Sequence, residues 1–234
     1  MVSSIDKSAR RIIALVVVVF APALMMIWYR AHESTGFASI ELIVFPLLFG
    51  GIGIAAIVLL KTKFLGESLG DVNKGSGSFV GDIGWGVLLC AAYFVLFFVE
   101  RLTLGRVLPS TPNLELLGLM LDMRENPWLL VFWFGPVLWI GIALFEELVR
   151  TFMLSEMWTM SGRKAWVVVV IVISAAIIGL VHWSQGPYGI VTIAMKSLLA
   201  GGFFYYRRRL LPLVVAHVLY DGLQVGALLL TYPR

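Results

Sequence analysis

Three groups of ionisable residues stand in the late, otherwise apolar part of this chain, and each pairs side chains that can move protons. The first is Phe145-Glu146-Glu147-Leu148-Val149-Arg150. On a helix Glu146 and Arg150, four apart, share a face, while Glu147 points about 100° away. The second is His182-Trp183-Ser184-Gln185-Gly186-Pro187, and the third is His217-Val218-Leu219-Tyr220-Asp221. The i, i+4 spacing puts His217 and Asp221 on one helical face, where the carboxylate can orient the imidazole. Carboxylates and imidazoles together are the equipment for taking a proton from water and returning it to a leaving group. Ionisable residues inside a lipid-spanning helix are costly, and by default they mark a functional site.

Each group has a plainer explanation: a helix end surfacing into water, an interfacial or capping histidine, or a polar helix–helix contact. Three such groups in one uncharged bundle weigh against coincidence. Depth supports their meeting. The polar turn Ser161-Gly162-Arg163-Lys164 makes a hairpin, with Glu146 15 residues before it and His182 18 residues after it. At 1.5 Å per residue the two heights differ by about 5 Å. His217 lies only 8 residues beyond Arg209 and reads as shallower. The heights agree if the hairpin projects beyond the membrane, as the charges of Arg150 and Glu156 suggest.

The elements that must hold these groups are membrane helices. Of 234 residues, 60% are hydrophobic and 14% charged, with a mean hydropathy of +0.94. A soluble domain is nearer half apolar and a quarter charged. A spanning helix needs roughly 20 mostly apolar residues, which predicts spans at 11–29, 38–60, 79–99, 128–150, 165–182, 189–206 and 210–231. The fold class is therefore all-α: a polytopic transmembrane bundle of about seven spans (six to eight), its site formed by the last three to four helices. Residues 1–234 read as one integral membrane domain, with no polar block large enough for a separate soluble unit. A Lys/Gly/Ser-rich loop fills 61–78, and 100–127 is amphipathic, with room for a helix at the interface. The first apolar run ends in Trp28-Tyr29-Arg30 without a small-residue cleavage site, so it reads as a retained helix rather than a signal peptide.

Basic residues favour a cytoplasmic N-terminus. That orientation leaves Lys7, Arg10, Arg11, Lys61, Lys63, Lys74, Arg163, Lys164 and Arg207 to Arg209 inside, and only Arg30, Arg101, Arg106, Arg124 and Arg234 outside. The net charge of +4 is this membrane pattern, and no basic strip with interleaved aromatics points to nucleic acid. Cys90 is the one cysteine and forms no intrachain disulfide. Gly66-Glu67-Ser68-Leu69-Gly70 has the spacing of a nucleophile elbow but lies in a polar loop, not a strand–turn–helix. Lys196 reads as a snorkelling residue, and Gly50, Gly51 and Gly53 as close helix contacts.

Taken together, the three groups resemble the motifs of the CPBP family of intramembrane proteases, which takes its name from CAAX-prenyl proteases and bacteriocin processing and is also called the abortive-infection family. That pattern is a glutamate pair with an arginine, then Phe-x-x-x-His, then His-x-x-x-Asn/Asp, each on a late membrane helix. The resemblance covers about 128–225, the implied catalytic core. Two positions differ: Arg150 comes one residue early, with Thr151 at the usual site, and Ile178 stands where phenylalanine is usual.

The resemblance implies an intramembrane endopeptidase without cofactor, acting on a membrane-associated protein or peptide. The bacterial cytoplasmic membrane is the expected location. Glu146, helped by His182, would be the general base on water, and Glu147 would position that water or protonate the leaving amine. His217 with Asp221 would stabilise the oxyanion, and Arg150 and Gln185 would support. Zinc held by Glu146, His182 and His217 is the lesser alternative. The other function classes are a proton-coupled transporter, for which no internal repeat is found, and a non-enzymatic membrane chaperone or immunity factor.

Overall fold

The computed structural model describes residues 4–32, 40–110 and 114–232, and among them the regular elements are all helices, with no strand. The elements are α1 (Ser4–His32), α2 (Glu41–Leu59), α3 (Phe79–Thr103), α4 (Leu114–Asp122), α5 (Pro127–Phe132), α6 (Phe145–Trp158), α7 (Lys164–Val181), α8 (Gly186–Arg207) and α9 (Leu211–Thr231). A π-helical stretch, Trp133–Leu144, joins α5 to α6. Six helical segments among the described residues are long and apolar enough to cross a membrane: Glu41–Phe64, Phe79–Arg106, Pro127–Trp158, Lys164–Val181, Gly186–Arg207 and Leu211–Thr231. The expected first span falls within α1, part of whose side chains lie outside the described residues, as do positions 38 and 39 of the second. The side chains of Trp28, Tyr29, Arg30 and Ser184, and all of Arg234, lie outside them too. The short α4 occupies the stretch where an interfacial helix was expected.

Local chemistry explains the boundaries. Asn126 caps the long central element, its Oδ1 accepting from the backbone N–H groups of Trp128 and Leu129 at 3.1 and 3.4 Å, and Pro127 follows at a position where a missing N–H costs nothing. Gly135 and Pro136 break the helical path, with Gly135 at φ −89°, ψ −112°. The wider π winding then leads into α6, one residue before the glutamate pair.

Without water to drive apolar association, membrane helices rely on close backbone approach. A Cβ on Gly50 would come within 2.4 Å of the Gly141 carbonyl oxygen, so α2 and the π stretch meet through their glycines. Gly53 lies against the Phe145 ring, whereas Gly51 faces open space, contrary to expectation. One apolar core joins α3, α6, α7, α8 and α9 through Leu89, Leu154, Val170, Phe204 and Ala216. A second gathers Ile43, Val137, Leu138 and Val214 from α2, the π stretch and α9.

The fourth expected span, 128–150, is too short at its C-terminal end. The helix runs on to Trp158, and Arg150 and Glu156 are buried in the bundle (6% and 0% exposed). Lys61, assigned to the polar loop, is also buried, and it bonds Glu156, Glu67 at 2.5 Å and Asp71 at 3.1 Å. Arg11 completes this cluster on Glu67 (2.5 Å) and Glu156 (3.2 Å), tying α1, the π turn Leu60–Phe64 that follows α2, the 65–78 loop and α6 together. Nearby, Arg209 forks onto Asp82 and donates to the Gly75 carbonyl at 3.0 Å, fixing the α8–α9 turn against the start of α3. Lys196 does not snorkel; its ammonium lies 2.8 Å from the fully buried Glu100. With Glu100 buried, losing Lys196 would leave its carboxylate as an uncompensated buried charge.

Candidate active site

The glutamate pair splits along the α6 helix as adjacent residues must, with one carboxylate going inward and the other outward. Glu147 is 1% exposed, and its neighbour Glu146 keeps a side chain 37% exposed. A carboxylate cannot be buried without donors, and Glu147 has three. Arg150 Nη1 donates to both of its oxygens, and His217 Nδ1 lies 2.9 Å from Oε1. The guanidinium is itself anchored by donation to Ser197 Oγ at 3.2 Å, from α8.

Arg150 therefore serves Glu147, three residues back on the helix, and not Glu146, the residue that shares its face by spacing alone. One turn of helix places positions three and four apart almost equally near, and the inward carboxylate is the one in need of charge. Thr151, which stands where the family pattern has arginine, is buried and returns its hydroxyl to the carbonyls of Glu147 and Leu148 at 2.8 and 3.2 Å. It closes the helix on itself and takes no part in the polar cluster.

From α9, His217 faces carboxylates on both sides. Its Nε2 lies 3.2 Å from Asp221 Oδ2 and 3.9 Å from Glu146 Oε2, while Nδ1 holds Glu147. Since carboxylates only accept, Nδ1 donates to Glu147 and Nε2 is the nitrogen turned toward the more open carboxylates. The predicted His217–Asp221 contact is thus present. Glu146, Glu147, Arg150, His217 and Asp221 form one connected group, built from α6 and α9 and buttressed by α8.

His182 and Gln185 are not bonded into this group among the described residues. His182 ends α7, and its Nδ1 lies 2.7 Å from the Ile178 carbonyl. A carbonyl can only accept, so the proton sits on Nδ1 and the Nε2 lone pair is left available as a base. Position 178 thus contributes a backbone oxygen, which isoleucine supplies as well as phenylalanine. Gln185 is exposed in the turn before α8. The alternative zinc ligands Glu146, His182 and His217 are not gathered; among the described residues no three of His, Cys, Asp and Glu stand where they could hold one ion.

Two polar neighbours were not picked out from the sequence as site residues. Ser197 is a lone hydroxyl in an apolar span, and only the fold brings it to Arg150. Glu100 could have been read from the pairing of a single acid ending one span with a single lysine inside another. In the structure the Glu100–Lys196 pair sits beside Tyr220, with the ammonium 5.7 Å from that ring, and Tyr220 packs on Tyr93 and Phe94.

Comparison with known proteins places this same region. Residues 127–223, somewhat under half of the chain, match the family model "Type II CAAX prenyl endopeptidase Rce1-like". Every residue of the connected group, and His182, falls within the match. No curated protein and no solved structure matches the chain.

Proposed function

With residues 127–223 matched to the type II CAAX prenyl endopeptidases as the premise, we propose that this integral membrane protein hydrolyses a peptide bond of a membrane-associated protein or peptide, using water activated by Glu146. The observation that carries the reading is the convergence of Glu146, Glu147, His217 and Asp221 from two helices 70 residues apart in sequence.

The division of labour follows from burial and bonding. Glu146 is the open carboxylate, so it takes a proton from a water whose oxygen adds to the substrate carbonyl carbon. Glu147, engaged on both oxygens, is the positioning group. It holds His217 by Nδ1, and Arg150 holds Glu147. His217 Nε2–H then offers a fixed donor to the carbonyl oxygen as it gains negative charge, with Asp221 steadying the ring until substrate arrives. As the carbon–nitrogen bond breaks, the proton held by Glu146 passes to the leaving amine. His182, at the α7–α8 junction with Nδ1 on the Ile178 carbonyl, is assigned the role of a second proton acceptor. Every step is assigned to side chains of the chain itself, and no metal is invoked.

The test is cleavage of a membrane-anchored peptide substrate by the purified protein in detergent micelles, run with prenylated and unprenylated forms. Wild type is expected to release the C-terminal fragment and Glu146→Gln to release none above background. Full activity of Glu146→Gln would remove this reading.

A further inference from the structure

A polar cavity lies away from the candidate active site, at the basic end of the bundle. It measures about 180 Å³, and its walls include Lys61, Asp71, Lys74, Ser155, Trp158 and Arg208. Lys61 has spent its three donors on Glu67, Glu156 and Asp71. Lys74 gives one contact to Asp71, 3.0 Å away, and is otherwise exposed at the rim. Arg208 makes no ion pair among the described residues. Its guanidinium lies 4.2 Å over the Trp158 ring, which in turn stacks on Phe204. Burial pushes the Arg208 guanidinium below its ordinary range, as expected of a desolvated cation without a counter-ion.

Two residues of these walls also carry a buried donor without a partner. Ser155 is 8% exposed, and its hydroxyl makes no hydrogen bond; the Trp158 indole N–H is likewise buried and unbonded. Buried polar groups are nearly always satisfied, and orphans in a wall point to something that fills the space. The backbone adds an independent sign. Arg208 ends α8 at φ 51°, ψ 38°, the left-handed region where glycine or asparagine is favoured at a helix end. The loop is moulded onto this turn: Gly75 N–H donates to the Arg208 carbonyl at 2.9 Å, and a Cβ on Gly75 would strike the Arg207 carbonyl. A strained arginine held in place, aimed over an aromatic ring and lacking an acid, is a cation kept for a ligand.

We infer that this cavity binds the phosphate of an anionic phospholipid headgroup, with Arg208 and Lys74 supplying charge and the Ser155 hydroxyl and Trp158 indole N–H turning toward it as donors. The lipid source follows from the setting. Tyr205 and Tyr206, Trp85, and Arg207 to Arg209 surround the α8–α9 turn, the mixture of aromatic and basic side chains that marks a headgroup layer.

The experiment is native mass spectrometry of the full chain in mixed micelles containing phosphatidylglycerol or phosphatidylcholine, with a parallel titration of inorganic phosphate. Wild type is expected to retain one phosphatidylglycerol in preference to phosphatidylcholine. Arg208→Asn, which tolerates the left-handed turn but removes the charge, should weaken that retention about fivefold, the loss expected for one basic side chain at an anionic surface. Lys63→Gln, an exposed basic residue outside the cavity, should leave it unchanged. Equal retention of the two lipids overturns the proposal, and so does an equal loss in Lys63→Gln, which would mean diffuse attraction. Binding of inorganic phosphate without retention of phosphatidylglycerol overturns the lipid assignment. The thermal unfolding midpoint of Arg208→Asn, measured without lipid, separates lost binding from lost folding.

Discussion

His217 Nδ1 stands 2.9 Å from the Oε1 of Glu147, a residue 70 positions earlier in the chain. That contact joins α6 to α9 and turns the other imidazole nitrogen toward Glu146 and Asp221. It also makes the buried glutamate an organiser, and leaves its half-buried neighbour as the group free to meet water.

Removing Arg150 should therefore harm folding as well as activity. Arg150→Met leaves the Glu147 carboxylate buried with its main charge partner gone, a loss of about 3–5 kcal/mol for a broken buried pair. Adding Glu147→Leu should restore much of that stability without restoring cleavage. Unfolding of the single and double variants in a double-mutant cycle measures this, and simple additivity of the two losses would contradict it.

Glu146 should behave in the opposite way. Its side chain is 37% exposed, and its nearest charged contact is 3.9 Å away, so Glu146→Gln is expected to keep the wild-type unfolding midpoint. Its cleavage rate should fall by about 10²–10⁴, the usual contribution of a general base. Glu147→Gln should lose both stability and rate. A drop in stability for Glu146→Gln matching that of Glu147→Gln would mean the two residues have been assigned the wrong way round.

Strong chelation should leave cleavage unaffected. Glu146, His182 and His217 are not placed to share one ion, and no other set of His, Cys, Asp and Glu among the described residues is arranged to hold a metal. Incubation with excess 1,10-phenanthroline, followed by the peptide assay, checks this. Activity lost to the chelator and recovered with added zinc would move the mechanism to a metal-bound water.

At the basic end, stability should fall with acid. Burial alone would raise the Glu67 carboxyl, but Lys61 and Arg11 outweigh it and hold it below its ordinary value of 4.5. Asp71 is held down likewise, against burial, by Lys74 and Lys61. Because the folded values lie below the unfolded ones, this stabilisation is complete above about pH 4.5 and disappears as pH falls through the folded values. Thermal midpoints between pH 7 and pH 3 should show the fall, and Glu67→Gln should make it shallower. An unchanged slope in that variant would mean that other carboxylates govern acid unfolding.

Much of the architecture was legible because its causes are local. Long apolar runs between polar turns dictate membrane helices, since a backbone in lipid must satisfy its own hydrogen bonds. The i, i+4 spacing of His217 and Asp221 similarly fixed their contact at 3.2 Å. Tertiary structure decided which partner each charge takes. Helical spacing places Arg150 within reach of both glutamates, and only the burial of Glu147 against His217 and Ser197 selects between them. Lys196 could as well have reached for water, until α3 set Glu100 2.8 Å away. Lys61 and Glu156, 95 residues apart, had no readable relation at all. In a low-dielectric bundle a buried charge is governed by whichever opposite charge the fold brings alongside, and periodicity along one helix carries no information about the next.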